Sequence, residues 1–114
     1  MMLTFILKKE WYEKIKSGCK KVEYREVKPY WTARLKNAVD NIFPVVFFGF
    51  PEKYGDYFEY DSESKLFCYF QPGYKPGKRL KARITKIEVR NGLNTDLGIN
   101  GLVYAIHFTD VTEC

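Results

Sequence analysis

The residues best suited to chemistry in this sequence are a lysine, a glutamate and an arginine that lie close together: Lys20, Glu23 and Arg25. Glu23 and Arg25 are two positions apart, so on a strand their side chains project from the same face. Two cations beside a carboxylate can hold a phosphate group, with the carboxylate orienting the arginine. Alternatively, Lys20 and Glu23 can act as an acid–base or nucleophilic pair. The third possibility is a salt bridge on an exposed strand, which contributes little.

Short helices and strands must position these side chains, and the local pattern predicts which ones. The apolar residues Leu3, Phe5 and Leu7 fall on alternate positions, which predicts a strand. A helix is predicted over residues 9–17, and Gly18 is suited to end it because glycine readily adopts the left-handed conformation of a helix terminus. Alternation over residues 21–25 predicts a strand that carries the glutamate and the arginine, and Pro29 is suited to begin a second helix.

The rest of the chain shows strand patterns separated by turns. Further strands are predicted at residues 45–48, 66–70, 80–90 and 102–108, with a turn-rich loop at residues 71–77. In the long strand, apolar residues fall on even positions up to Ile84 and on odd positions from Ile87 onwards. A β-bulge produces such a change of phase, and bulges bend strands at the corners of barrels. The sequence therefore predicts an α+β fold, a small mixed or antiparallel β-barrel with one or two short N-terminal helices.

The composition predicts a single basic domain rich in aromatic residues. A length of 114 residues corresponds to one domain, spanning residues 1–114. The hydrophobic fraction of 46% and the charged fraction of 29% exclude wholesale disorder. Aromatic residues make up 18%, and the net charge is +5. Basic residues dominate residues 8–36 and 65–90, and acidic residues dominate the segments between and after them. If the fold brings both basic segments to one side, a positive cleft results; otherwise they are separate solvated faces.

The sequence lacks the residues that several classes of function require. The cysteines Cys19, Cys68 and Cys114 are far apart and His107 is the only histidine, which argues against a disulfide framework and a zinc site. No metal or cofactor is implied. No stretch approaches the roughly 20 apolar residues of a membrane helix, and residues 1–7 are too short for the apolar region of a signal peptide. We therefore expect a cytoplasmic protein that does not enter a membrane.

The segment around the three charged residues resembles the signature of a known family. Residues 18–25, Gly-Cys-Lys-Lys-Val-Glu-Tyr-Arg, are similar to the G-x-K-x-x-E-x-R signature of the ASCH domain. Residues 11–18 resemble the helix that leads into this signature, and residues 25–31 resemble an extension of some small bacterial and phage-type members. Residues 70–74 resemble the family's Gly-Tyr segment, and the last two strands resemble its last barrel strands. The resemblance covers most of the chain and is absent across residues 37–64.

This resemblance implies a PUA-like barrel that binds RNA or nucleotides in a cleft beside the signature helix and strand. Lys20 and Arg25 are then expected to meet phosphates or base edges, while Glu23 orients Arg25 or accepts a hydrogen bond from a base amine. Four further residues are expected beside the ligand: Tyr24, Lys28, Trp31 and Tyr74. The competing interpretations are a turn anchor for Tyr74, a core position for Trp31 and a solvated charge for Lys28.

Some members of the family are enzymes, so the resemblance leaves a hydrolase as the alternative function. They include an amidohydrolase acting on acetylated cytidine and a ribonuclease. The amidohydrolase members use the signature lysine, a threonine at the position of Glu23 and a glutamate from a later loop. This chain keeps Lys20 but has no glutamate near Tyr74, and the nearest candidates, Glu59 and Glu63, lie in the unmatched segment. In an enzyme, Lys20 is expected to be the nucleophile or proton shuttle and Glu23 the general base.

An acidic, tyrosine-rich segment over residues 51–64 indicates a third possible function, a protein-interaction module. Its tyrosines lie among acidic residues, whose charges repel phosphate. We predict that the segment is an exposed loop or hairpin extension inserted into the domain. Packing within the protein or contact with a protein partner suits these tyrosines better than RNA does.

Overall fold

A computed structural model describes residues 3–42, 55–59, 65–74 and 77–114, and the side chains of residues 40–42 and 55–59 are outside that description. The strand predicted at residues 45–48 lies outside the described residues. Within them, the elements in chain order are β1 (Leu3–Leu7), α1 (Lys9–Lys16), β2 (Val22–Glu26), α2 (Pro29–Ile42), β3 (Gly55–Glu59), β4 (Phe67–Pro72), β5 (Leu80–Asn91) and β6 (Leu102–Glu113). A short 3-10 helix at Gly92–Asn94 follows β5. The predicted α+β class is confirmed.

The strands of the described residues form one mixed sheet that curls into a half-barrel. Five of them follow the order β1-β4-β5-β6-β2, and β3 pairs with β5 outside this path. The β1–β4 pair is parallel and the other pairs are antiparallel. The path begins at β1 and ends at β2, so these two strands border the open side of the half-barrel.

A bulge in β5 divides this long strand between two neighbours. Ile84 pairs with Phe108 and Lys86 with His107, so Thr85 has no opposite residue on β6. The change of phase predicted at this point of the sequence is therefore confirmed. On the other side of β5, β4 pairs up to Arg83 and β3 pairs from Lys86 onwards. The bulge thus lies where one neighbouring strand replaces the other.

The strand β3 belongs to the acidic segment that was predicted to be an exposed loop or hairpin extension. Gly55–Glu59 pair with β5, a strand remote in sequence. The described part of this segment is therefore a component of the central sheet. Residues 51–54 and 60–64 lie outside the described residues.

Apolar side chains from both helices and from the inner face of the sheet form the core. Helix α1 buries Tyr12 and Ile15, and helix α2 buries Leu35, Ala38 and Val39. Gly18 has a φ of +86°, as expected for the residue that ends α1. Both helices therefore pack against the sheet, and β2 lies between them in the chain.

A cluster of charges around Glu88 lies at the junction of β5 and β6. The side chain of Glu88 is buried, and its carboxylate contacts His107 Nε2 at 2.9 Å, Lys86 Nζ at 3.2 Å and Arg90 Nη2 at 2.6 Å. Burial alone raises the pKa of Glu88, but the hydrogen bonds with His107 and Lys86 and the charge of Arg90 outweigh it. The pKa of Glu88 therefore lies below its ordinary value of 4.5.

This lowered pKa makes Glu88 a source of acid sensitivity. Its contribution to stability is present above the ordinary carboxyl pKa and is lost as the pH falls through the lower pKa of the folded state. We expect Glu88→Gln to destabilise the protein by about 1–3 kcal/mol at neutral pH. The difference from the wild type should shrink below about pH 4. Urea unfolding over a pH series measures this difference.

The matched control is Glu113→Gln, because the pKa of Glu113 is also lowered, by an ion pair with Lys16 at 2.8 Å. That pair is exposed, so its removal should change stability much less. A Glu88→Gln variant whose destabilisation is the same at every pH would contradict the assignment.

Candidate ligand-binding cleft

The open side of the half-barrel contains a cavity of about 840 Å³. Residues of β1 and β2 form two of its walls, and α1, α2 and the loop after the 3-10 helix contribute the others. Its lining includes Glu23, Tyr24, Arg25, Trp31 and Tyr74, which are five of the seven side chains expected at the ligand. We call this cavity the cleft.

The signature strand β2 turns its polar face towards the interior. Glu23 is only 5% exposed although it is charged, and Arg25 lines the cleft beside it. The prediction that both side chains share a face agrees with this placement. Among the described residues β2 pairs only with β6 and is the last strand of the path, and its residues Glu23, Tyr24 and Arg25 line the cleft.

Glu23 is the centre of an ion-pair cluster, which we define as Lys20, Glu23, Arg25 and Asp96. Lys20 Nζ lies 3.4 Å from Glu23 Oε1, and Arg25 Nη1 lies 3.1 Å from Glu23 Oε2. The backbone N–H of Tyr24 also donates to Glu23 Oε1, at 3.1 Å. A carboxylate buried in this way needs its counter-charges, so the cluster depends on both cations.

Arg25 connects the two strands that border the open side. Its Nη2 donates to the carbonyl of Ile6 on β1 at 3.2 Å, and its Nη1 donates to the carbonyl of Tyr24 at 2.9 Å. The guanidinium lies beside the stacked rings of Phe5 and Trp31, with its carbon 5.1 Å from the centroid of Phe5 and 5.2 Å from that of Trp31. Arg25 thus links β1 and β2 at the cleft. Both of its terminal nitrogens already donate hydrogen bonds to backbone carbonyls of the protein.

Lys20 is enclosed and does not line the cleft. It is 9% exposed, its ammonium contacts the carboxylates of Glu23 and Asp96, and it lies over the rings of Trp11 and Tyr24 at 5.3 and 5.2 Å. The sequence predicted that Lys20 meets phosphate or base edges, or acts as a nucleophile. In the structure Lys20 is a partner of two carboxylates, and it lies next to Glu23 without lining the cleft.

Aromatic side chains cover much of the cleft wall. Trp31 stacks on Phe5 with centroids 5.2 Å apart and meets Tyr30 edge to face at 5.1 Å. Tyr24 and Trp11 also line the cleft. Tyr74 is 88% exposed, and the residue contributes both to the cleft and to a second cavity of about 790 Å³. It therefore stands where the two cavities meet.

Lys28 is placed apart from the other expected residues. It is exposed, pairs with Glu26 at 2.9 Å and is not among the residues that line the cleft. Its position agrees with the interpretation as a solvated charge. Two other cations, Lys8 and Arg34, line the cleft instead, and Arg34 lies over the ring of Tyr30 at 4.8 Å.

Sequence reasoning missed several of the residues that complete the cleft. Asp96 is 76 positions from Lys20, in a loop whose composition indicates only a turn. Trp11 was not among the residues expected beside the ligand, although it lines the cleft. The one available signal for Arg34 was its spacing of four from Tyr30, which places both on one face of α2.

The described residues offer no group of three or more histidine, cysteine or acidic side chains that could hold a metal ion. All three cysteines are free, and burial raises the pKa of the Cys68 thiol, so this side chain is an uncharged part of the core. None of the helices in the described ranges has the length and apolar character needed to cross a membrane.

Comparison with known proteins yields no match to a family model, a curated protein or a solved structure. The geometry of the cleft is therefore the main basis for a functional proposal.

Proposed function

We propose that this chain is an RNA- or nucleotide-binding module of the PUA-like ASCH type, with the cleft between β1 and β2 as its ligand site. One observation carries the proposal: five aromatic side chains and three cations line the same cavity. The aromatic side chains are those of Trp11, Tyr24, Tyr30, Trp31 and Tyr74, and the cations are Lys8, Arg25 and Arg34. Flat rings stack on bases, and cations attract phosphates, so this combination suits a nucleotide.

The dimensions of the cleft support the same proposal. Pockets for small organic ligands have volumes of about 300–1,000 Å³, and the cleft has about 840 Å³. Tyr74 lines the cleft and is exposed to solvent. One nucleotide of a longer RNA strand can therefore enter the cleft from this side. Binding is better supported than hydrolysis, because Lys20, the expected nucleophile, is enclosed by carboxylates behind the wall.

Tryptophan fluorescence provides a direct test, because the chain has two tryptophans and both line the cleft. We expect nucleotides and short single-stranded RNA to change this fluorescence, with an affinity that falls as the salt concentration rises. Tyr74→Ala should weaken binding by about 1–3 kcal/mol if the ring stacks on a base. The fold should be unaffected, because Tyr74 is almost fully exposed.

Leu93→Ala is the matched control, since Leu93 is an exposed apolar residue that does not line the cleft. It should bind as the wild type does. The proposal fails if neither RNA nor any nucleotide perturbs the fluorescence, or if Tyr74→Ala and Leu93→Ala change the affinity equally.

A further inference from the structure

We infer that Arg34, together with Lys8, holds a phosphate group in the cleft, so that the ligand is a phosphorylated nucleoside and not a free nucleoside. This inference rests on the proposed function and specifies its ligand class. The phosphate is either the monoester of a free nucleotide or the diester of an RNA strand. The residues that bind it are different from the signature residues Lys20 and Arg25.

The first argument concerns which cations are available. Lys20 and Arg25 are both paired with Glu23, and Arg25 also donates to two backbone carbonyls. Within the described part of the chain, neither Arg34 nor Lys8 forms an ion pair. These two cations are therefore the ones at the cleft that are not already committed to a carboxylate.

The second argument concerns the charge balance of the site. The cleft and the ion-pair cluster together contain four cations and two carboxylates, the cations being Lys8, Lys20, Arg25 and Arg34. The carboxylates of Glu23 and Asp96 contact Lys20 and Arg25, which leaves a surplus of two positive charges at Lys8 and Arg34. A phosphate monoester carries about −1.5 to −2 charges at neutral pH, so its charge matches this surplus.

The third argument concerns the hydrogen-bonding state of Arg34. Its guanidinium is half-buried over Tyr30, and its Nε atom is fully buried with no hydrogen-bond partner among the described residues. An unsatisfied buried donor is costly, and a guanidinium carries five N–H donors in a planar fork that matches the oxygens of phosphate. Because Nε itself is closed to a ligand, a phosphate in the cleft binds the terminal Nη groups of this guanidinium, which restores to the cation interactions that it gave up on leaving water.

The position of Arg34 places its charge next to the aromatic side chains. Its guanidinium lies over the ring of Tyr30, which meets Trp31 edge to face, so the cation adjoins the aromatic wall. A nucleotide whose base stacks on that wall can present its phosphate to the same cation. The two kinds of interaction can therefore serve one ligand.

The test compares each common nucleoside with its 5′-monophosphate and with a short homopolymeric single-stranded RNA, using tryptophan fluorescence. We expect the wild type to prefer the monophosphate over the nucleoside by about tenfold or more. Arg34→Gln should reduce this preference to near one. Inorganic phosphate should compete with the monophosphate in the wild type and lose that ability in the variant.

Arg79→Gln is the matched control. Arg79 also lies over a tyrosine ring, 5.9 Å from the centroid of Tyr69, and the same charge is lost, but it does not line the cleft. It should keep the preference for phosphate. Arg34→Lys keeps the charge but lacks the fork, so it is expected to retain part of the preference, and it serves as the test if Arg34→Gln fails to fold.

The outcomes separate the two proposals. If no nucleoside, nucleotide or RNA binds, the proposed function is wrong. If nucleosides bind as tightly as their monophosphates, or if Arg34→Gln keeps the preference, the phosphate site is wrong while the proposed function stands. Tighter binding of RNA than of monophosphates, with the same dependence on Arg34, assigns the phosphate to a diester. The reverse order assigns it to a free nucleotide, and both orders support the site.

Discussion

Glu23→Ala is expected to destabilise the protein by about 3–5 kcal/mol, because it removes one side of a buried ion pair and leaves the other side uncompensated. Arg25 loses its carboxylate partner, and Lys20 keeps only Asp96. The backbone N–H of Tyr24 also loses its acceptor. The cations involved are largely hidden from water, so solvation cannot replace the lost carboxylate at low cost. Urea unfolding at neutral pH measures the effect.

The same strand offers a matched control in Glu26→Ala. Glu26 forms an ion pair with Lys28, and both side chains are exposed. Pairs of this kind contribute about 0–1 kcal/mol, so the two glutamates of β2 should differ several-fold in their effect. If the two variants unfold at the same urea concentration, Glu23 is not the centre of a buried cluster.

The second large effect is expected at Arg25, where Arg25→Ala should cost about 3 kcal/mol or more. Three losses combine: Glu23 keeps Lys20 as its remaining cation, the carbonyl of Ile6 loses a donor, and the contacts of the guanidinium with the rings of Phe5 and Trp31 are removed. Because Arg25 bridges β1 and β2, hydrogen exchange should accelerate most in these two strands.

Arg25→Lys separates the charge from the shape of the side chain. It keeps a cation near Glu23 but lacks the planar fork that reaches both carbonyls and contacts the rings of Phe5 and Trp31. We expect a stability between those of the wild type and Arg25→Ala. Full stability of Arg25→Lys would show that the bridge to β1 is unimportant.

The double variant Glu23→Ala with Arg25→Ala tests whether the two residues act together. Since each single change leaves the partner's buried charge unpaired, the double variant should be less destabilised than the sum of the two single variants. Strict additivity would contradict the contact between them.

Local patterns in the sequence were sufficient to predict most elements that carry the cleft. Alternation of apolar residues located β1, β2 and the start of β6, and the change of phase after Ile84 located the bulge in β5. These features depend on neighbours within a few positions, which is the range over which side-chain periodicity is informative. The shared face of Glu23 and Arg25 follows from the same rule.

Features that depend on distant pairing were not accessible in this way. The residues of β2 and their neighbours in sequence do not show that the face carrying Glu23 is the buried one. The burial of this face depends on the position of β2 at the end of the strand order. The contact of Lys20 with Asp96 depends on where the loop after β5 lies in the fold. The end of β6 was also missed, because apolar alternation stops at Phe108 and Asp110 adopts a φ of 55° at a shift in register.

The pairing of β3 with β5 affects how the acidic segment can be studied. Gly55–Glu59 occupy the backbone donors and acceptors of β5 from Lys86 to Val89. A chain trimmed of this segment would expose that row of backbone groups, and bare strand edges recruit other copies of the same chain. Trimming would thus convert a covered strand into a template for self-association. If a chain without the acidic segment failed to bind a protein partner, self-association of the trimmed chain would explain the result as well as the loss of a docking surface would.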